Sequence, residues 1–298
     1  MKLERPTYQK PLSLTGLGGG ATSLSFASAG VPYVTDGLVC HYDFGDSSCY
    51  THPSVNSKPL VNDLTGNSHT SKIYNGPGYD LDVQSTPPAV SYSSSNGGHL
   101  VFEPNYTPSG GSNSSNSPII FRDTAPWTGL GNGDWAVEFW LDYYRYSLPS
   151  GQILQYIFSD GASYTGTLEI GIDTSGKIYI YCFNQQMGAE PSTYYTISNA
   201  YNGWDHIVLS KIGSGSNNVK LYHKGVNTHS LSWNGMNYVA QWPGSAASGI
   251  WGSMAFFDSY NGRHFKGKFA IFRCYSGKGL DATEVLQNFN GERSRFGV

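Results

Sequence analysis

Trp135-Ala136-Val137-Glu138-Phe139-Trp140-Leu141-Asp142-Tyr143-Tyr144 is the stretch on which the fold turns. Trp135, Val137, Phe139 and Leu141 recur at every second position, so an extended chain places all four on one face, whereas a helix would scatter them. Runs of similar character occur at 37–44, 99–103, 152–158, 167–172, 177–183, 204–211, 219–223, 249–257 and 265–275. Turn signals such as Asp160-Gly161 and Asp173-Thr174-Ser175-Gly176 separate them. About a dozen strands at this spacing predict an all-β sandwich. The single convincing helix lies at the C-terminal end. Asp281 is its N-cap, Glu284 sits three residues on, and Val285, Leu286 and Phe289 form an apolar face. It is expected to cover one end or edge of a sheet.

Composition agrees with many strands joined by tight turns. The 298 residues include 37 Gly and 22 Tyr, and only 13% are charged, about half the usual ~25%. Aromatics at 14% exclude a disordered chain. The net charge is -3, and Lys and Arg occur singly, which argues against nucleic acid as a partner. No apolar run approaches the ~18 residues of a membrane span. The opening Met1-Lys2-Leu3-Glu4-Arg5-Pro6 lacks the apolar core of a signal peptide, so synthesis in the cytoplasm is expected. Cys40, Cys49, Cys182 and Cys274 form no C-x-x-C pair and are expected to be buried thiols. A Cys40–Cys49 bridge stays open.

Residues 1–35 read differently from residues 36–298. They hold Pro6, Pro11 and Pro32, a glycine-rich run at 16–20 and small residues up to Gly30. Leu12, Leu14, Leu17, Leu24 and Phe26 follow no helical period. The expectation is an extended N-terminal arm that anchors on a partner's surface, with those five side chains as contacts and glycine allowing close backbone approach. Residues 36–298 are expected to form one domain.

Several motifs of this domain are recognisable in order. They are Gly37-Leu38-Val39, Tyr42-Asp43, Asp63-Leu64-Thr65-Gly66-Asn67 and Gly98-His99-Leu100-Val101-Phe102. Trp135-Ala136-Val137-Glu138-Phe139-Trp140, Trp204-Asp205-His206-Ile207-Val208-Leu209 and Leu221-Tyr222-His223-Lys224-Gly225-Val226 follow. Together they resemble laminin-G-like, concanavalin A-like jelly-roll domains. Lys224 departs from the pattern, where relatives often carry Asn. The ending Asn288-Phe289-Asn290 to Arg293-Ser294-Arg295-Phe296-Gly297 looks most like the version in bacteriophage virion proteins. The resemblance implies a jelly-roll sandwich of two antiparallel sheets. It also implies a virion structural protein, best read as a head decoration protein on the virion surface, held to other virion proteins by its arm. A tail-fibre or adhesin domain that binds host-surface glycan is the alternative. Some relatives bind calcium through loop carboxylates, which leaves calcium open; no other cofactor is implied.

The residues themselves give little support to catalysis. A retaining glycoside hydrolase needs two carboxyl groups ~5–5.5 Å apart. Glu169 and Asp173, and likewise Glu138 and Asp142, are four residues apart on their strands. A hydrolase is therefore a remote reading and a non-enzyme is expected. His206, inside an apolar strand, is expected to be a packed and satisfied core histidine. Sugar recognition uses aromatic faces with polar groups beside them. Tyr179, Tyr181 and Phe183 share one face of their run, opposite Ile178, Ile180 and Cys182, and Tyr144 and Tyr146 are expected to extend that aromatic surface into a candidate glycan-binding site.

Overall fold

Trp135–Tyr143 is a strand, and all nine of its residues are buried. In the computed structural model the described residues are 32–50, 60–67, 71–75, 90–102, 118–122, 133–144, 154–159, 168–173, 176–182, 194–196, 203–233, 253–254 and 265–298. They form two eight-stranded sheets whose pairs are all antiparallel. Sheet A contains β1 (Leu38–Asp43), β4 (Val90–Ser93), β5 (His99–Phe102), β7 (Trp135–Tyr143), β12 (Asp205–Lys211), β13 (Gly215–His223), β14 (Val226–Trp233) and β16 (Gly267–Ser276). Sheet B contains β2 (Leu60–Val61), β3 (Ser71–Asn75), β6 (Pro118–Arg122), β8 (Leu154–Ser159), β9 (Leu168–Asp173), β10 (Lys177–Cys182), β11 (Tyr194–Thr196) and β15 (Ser253–Met254). The order in sheet A is β14-β13-β12-β7-β16-β5-β4, with β1 also on β16; in sheet B it is β11-β10-β9-β8-β15-β6-β3-β2. The fold is the expected all-β jelly-roll sandwich with one C-terminal helix, α1 (Ala282–Phe296).

The core lies between the sheets. Trp135, Val137, Phe139, Leu141 and Tyr143 of β7 meet Ile207 and Leu209 of β12, Phe269 and Phe272 of β16, and Ile157, Ile170, Ile172, Ile178 and Ile180 of sheet B in one buried cluster. The alternation of the opening stretch therefore marks the core face. Its other face is buried as well, against α1. Val285 packs with Ala136, Val208, Tyr222 and Tyr275, and Phe289 and Phe296 pack with Trp140, Trp204, Ala270 and Ile271. A bulge between Phe269 and Ile271 puts Ala270 and Ile271 together on this outer side. The helix thus covers the middle of sheet A's outer face rather than an end or edge. Alanine at 136 and 270 leaves room for the approach.

Asp281 caps α1 as expected. Its Oδ1 accepts from Thr283 N (2.8 Å) and Glu284 N (2.9 Å), and Glu284 Oε2 accepts from Asp281 N (3.0 Å). Asp281→Ala should cost about 1 kcal/mol and lower the melting temperature by roughly 2–4 °C. An unchanged melting curve would show that the cap carries no stability.

Residues 32–35, read from sequence as the end of the arm, lie on this domain. Val34 is buried, and Gln287 Nε2 donates to Pro32 O (2.6 Å). Residues 1–31, with Leu12, Leu14, Leu17, Leu24 and Phe26, lie outside the described residues. No helix among the described residues is long and apolar enough to cross a membrane.

Candidate functional site

Between sheet A and α1 a set of charged side chains is closed off from solvent. Glu138 and Arg273 face each other across the β7–β16 ladder. Both side chains are 0% exposed, and Arg273 Nη1 donates to Glu138 Oε1 (2.9 Å). His206 Nε2–H donates to the same oxygen (3.1 Å), and Asn288 Nδ2 of α1 donates to Oε2 (2.6 Å). Arg273 Nη2 donates to Glu292 Oε1 (2.6 Å), and its Nε donates to His41 Nε2 (3.3 Å). Tyr33 lies over the guanidinium at 4.2 Å, and its hydroxyl meets His41 Nδ1 (3.2 Å). Asn288 Oδ1 accepts from Val34 N (2.8 Å), and the Tyr275 hydroxyl donates to Val34 O (3.1 Å). One network ties β1, β7, β12, β16, α1 and residues 33–34 together. Such burial suits a structural lock, since no substrate reaches a carboxylate enclosed on every side.

His206 is buried, as its apolar strand suggested, but only half satisfied. Its Nδ1 has no hydrogen-bond partner among the described residues, while Nε2 holds Glu138.

The lock sets an acid response. Burial pushes the Glu138 pKa up, but Arg273, His206 and Asn288 outweigh it and hold the carboxyl at about 2, below its ordinary 4.5. Burial, then Arg273, pushes His41 down from 6.5 to about 2. Both folded pKa values are depressed, so the unfolded chain takes up protons first as pH falls. Stability is complete above pH 6.5, declines below that as unfolded His41 protonates, and declines further below 4.5 through Glu138. The melting temperature should therefore drop steadily from pH 7 to pH 4. A flat profile over that interval contradicts the assignment.

A second polar group on the same outer face is half open. Lys268 and Asp142 are ladder partners, and Lys268 Nζ donates to Asp142 Oδ2 (2.7 Å) with the lysine side chain 29% exposed. The ammonium lies 5.4 Å from the Tyr144 ring centroid and 5.8 Å from that of Trp204, which His99 meets edge-on. Burial disfavours the ammonium, yet hydrogen bonds to Asp142 and Tyr144 outweigh it and hold the Lys268 pKa above its ordinary value. The partly exposed Lys268 ammonium and the half-buried Tyr144 ring, with Asp142 buried behind them, form a group that suits a hydroxyl-rich ligand.

The predicted aromatic surface divides. Tyr144 follows β7 of sheet A, whereas positions 179 and 181 lie on β10 of sheet B. Ile178 and Ile180 of β10 face the core, and the side chains at 179 and 181 lie outside the described residues. Tyr144 therefore does not extend the β10 row, because the two strands belong to opposite layers. Tyr146 and Phe183 lie outside the described residues. Sequence reading missed Lys268 and Asp142 as neighbours of Tyr144, since ladder register brings residues 126 apart into contact.

Asp173, weighed with Glu169 for catalysis, and two further carboxylates, Asp205 and Asp43, have structural partners. Asp173 Oδ1 accepts from Lys177 N (2.9 Å) at the β9–β10 turn. Asp205 Oδ1 accepts from His223 Nε2 (2.7 Å) and lies 3.2 Å from Lys224 Nζ. Asp43 makes a two-pronged pair with Arg295 of α1 (2.7 and 2.9 Å). Among the described residues no group of three or more His, Cys, Asp or Glu could hold a metal ion. Cys40, Cys49 and Cys274 are buried thiols, and no Cys40–Cys49 bridge is formed.

No family model and no curated protein matches the chain. Solved structures do resemble it. The binding domain of botulinum neurotoxin DC in complex with SialylT superposes with a TM-score of 0.52 at 12% identity, over 86% of this chain and 52% of that one. A Trypanosoma rangeli sialidase in complex with sialic acid gives 0.51 at 12% identity, over 91% and 37%. Domain 4 of an extracellular arabinanase from Geobacillus stearothermophilus, in complex with arabinotriose, gives 0.46 at 17% identity, over 85% and 98%. The chain spans about half of the toxin fragment and about a third of the sialidase. At these identities the likeness establishes the β-sandwich fold.

Proposed function

We propose that the chain is a non-enzymatic structural protein of a bacteriophage virion, a head decoration protein, that displays its sandwich as a glycan-binding domain. The observation that carries the binding half is the Lys268–Asp142–Tyr144 group. It pairs an aromatic ring with a partly exposed ammonium held by buried Asp142, while Glu138 is enclosed in the lock. The virion half rests on the sequence resemblance, above all the ending 288–297, and on the leucine- and glycine-bearing arm. The toxin domain and the sialidase that share the fold were captured with sialylated or sialic ligands, which supports a glycan as the ligand class.

Deleting residues 1–30 tests the anchoring. The cut leaves Tyr33 and Val34 on their partners, so the domain keeps its lock. The truncated protein should fold, with an unchanged melting temperature, and fail to load onto particles. Loading at the full-length level would overturn the anchoring role.

A further inference from the structure

β1 and β16 bring two cysteines to the same rung of one ladder. Cys40 is paired with Cys274, and both are fully buried on the core side, in line with Tyr42 and Phe44 on one strand and Phe272 on the other. Phe44 N donates to Ala270 O (3.0 Å), so rung 44/270 is hydrogen-bonded. The register from Cys40 to Asp43 is unbroken, and alternation makes Cys40/Cys274 a hydrogen-bonded rung too. Opposed Cα atoms on such rungs lie about 5.5 Å apart, within the ~5.5–6 Å most common for disulfides. Opposed Cβ atoms on a hydrogen-bonded rung stand at the wide end of about 4.5–5.5 Å and a disulfide needs about 3.5–4.5 Å, so closure draws the two strands inward by about 1 Å or more and strains the rung. A register irregularity between Leu38 and Cys40 lies next to this rung, and strands bend locally at such irregularities. Cys49, the partner the sequence left open for Cys40, is engaged elsewhere: its sulfur accepts from Asp43 N at 3.3 Å.

We propose that Cys40 and Cys274 are a redox-sensitive pair, thiols in a reducing compartment and a cross-strand disulfide in an oxidising one. With oxidised glutathione as oxidant, the Cys40 thiolate attacks one glutathione sulfur and expels one glutathione thiolate. The Cys274 thiolate then attacks the Cys40 sulfur and expels the second. The two protein thiols give up two electrons and two protons, and oxidised glutathione becomes two glutathione thiols. Both sulfurs are buried, so exchange proceeds through local opening of β1 and is slow. The bond staples β1 to β16, and β1 is the strand that residues 32–37 lead into. Oxidation therefore fastens the point at which any load from the N-terminal segment enters the domain. The strain of drawing a wide rung together makes the bond more easily reduced than a relaxed structural disulfide.

The test incubates the native full-length protein with oxidised glutathione, quenches free thiols, and maps disulfide-linked peptides by mass spectrometry. The expected result is a 40–274 linked peptide and a melting temperature raised by about 5–10 °C. Reducing agent should reverse both. Cys49→Ser should leave the link in place and Cys274→Ser should abolish it. Should Cys274→Ser fail to fold, the wild-type map alone decides. An oxidised wild-type protein with no 40–274 peptide, or with Cys40 linked to Cys49, overturns the proposal.

Discussion

Arg273→Ala should destabilise the domain by about 3–5 kcal/mol, the cost of stranding buried charge. The guanidinium is 0% exposed and serves Glu138, Glu292 and His41 together, with Tyr33 over its face. Truncation leaves the Glu138 carboxylate enclosed with His206 and Asn288 as its remaining donors. It also releases Glu292 and so loosens the second half of α1. The variant should melt about 10 °C lower, and Glu138 should titrate above its native value of about 2, nearer its unfolded value, so its share of the acid response flattens. The double variant Glu138→Leu/Arg273→Met removes both charges and keeps volume, so it should be more stable than Arg273→Ala. A double variant no better than the single one would show that the loss comes from packing rather than from an orphaned charge.

Trp140→Ala should cost a similar amount, about 3–5 kcal/mol, by a different route. The indole is fully buried on sheet A's outer face. It stacks on Phe296 (4.3 Å, 19°) and Phe289 (5.8 Å, 6°) of α1 and on His206 (4.9 Å). Removing it opens a cavity between two rigid layers, and α1 loses its main apolar contact. Far-UV circular dichroism should keep its strand signal while near-UV aromatic bands collapse. A variant with native near-UV bands and melting temperature would show that α1 is held without the stack.

The core side of the fold was legible from residue pattern. The alternation from Trp135 gave β7, and similar runs gave β1, β5, β8, β9, β10, β12, β13 and β16 within a few residues. The capping box announced α1. What stayed hidden depended on contacts between distant residues. β14 was overlooked although Lys224-Gly225 precedes it, both with positive φ (50° and 79°), the backbone of a tight two-residue hairpin. The burial of sheet A's outer face under α1 is not legible locally, because Ala136, Glu138, Trp140 and Asp142 show no simple polarity. Glu138 and Arg273 are buried as a pair 135 residues apart in sequence, which no local pattern reports. The Tyr144 site failed to merge with the β10 tyrosines for the same reason, since strand assignment to one layer or the other is a matter of topology.

Binding of the full-length protein to a glycan array, wild type beside Lys268→Ala and a Tyr179→Ala/Tyr181→Ala double variant, tests the binding role most directly. The wild type should retain a defined set of glycans. Lys268→Ala should weaken retention by roughly 10–100-fold, the loss of a charge-assisted hydrogen bond, and the β10 variant should bind as before. Binding unaffected by Lys268→Ala, binding lost only in the β10 variant, or no binding by the wild type would contradict that role.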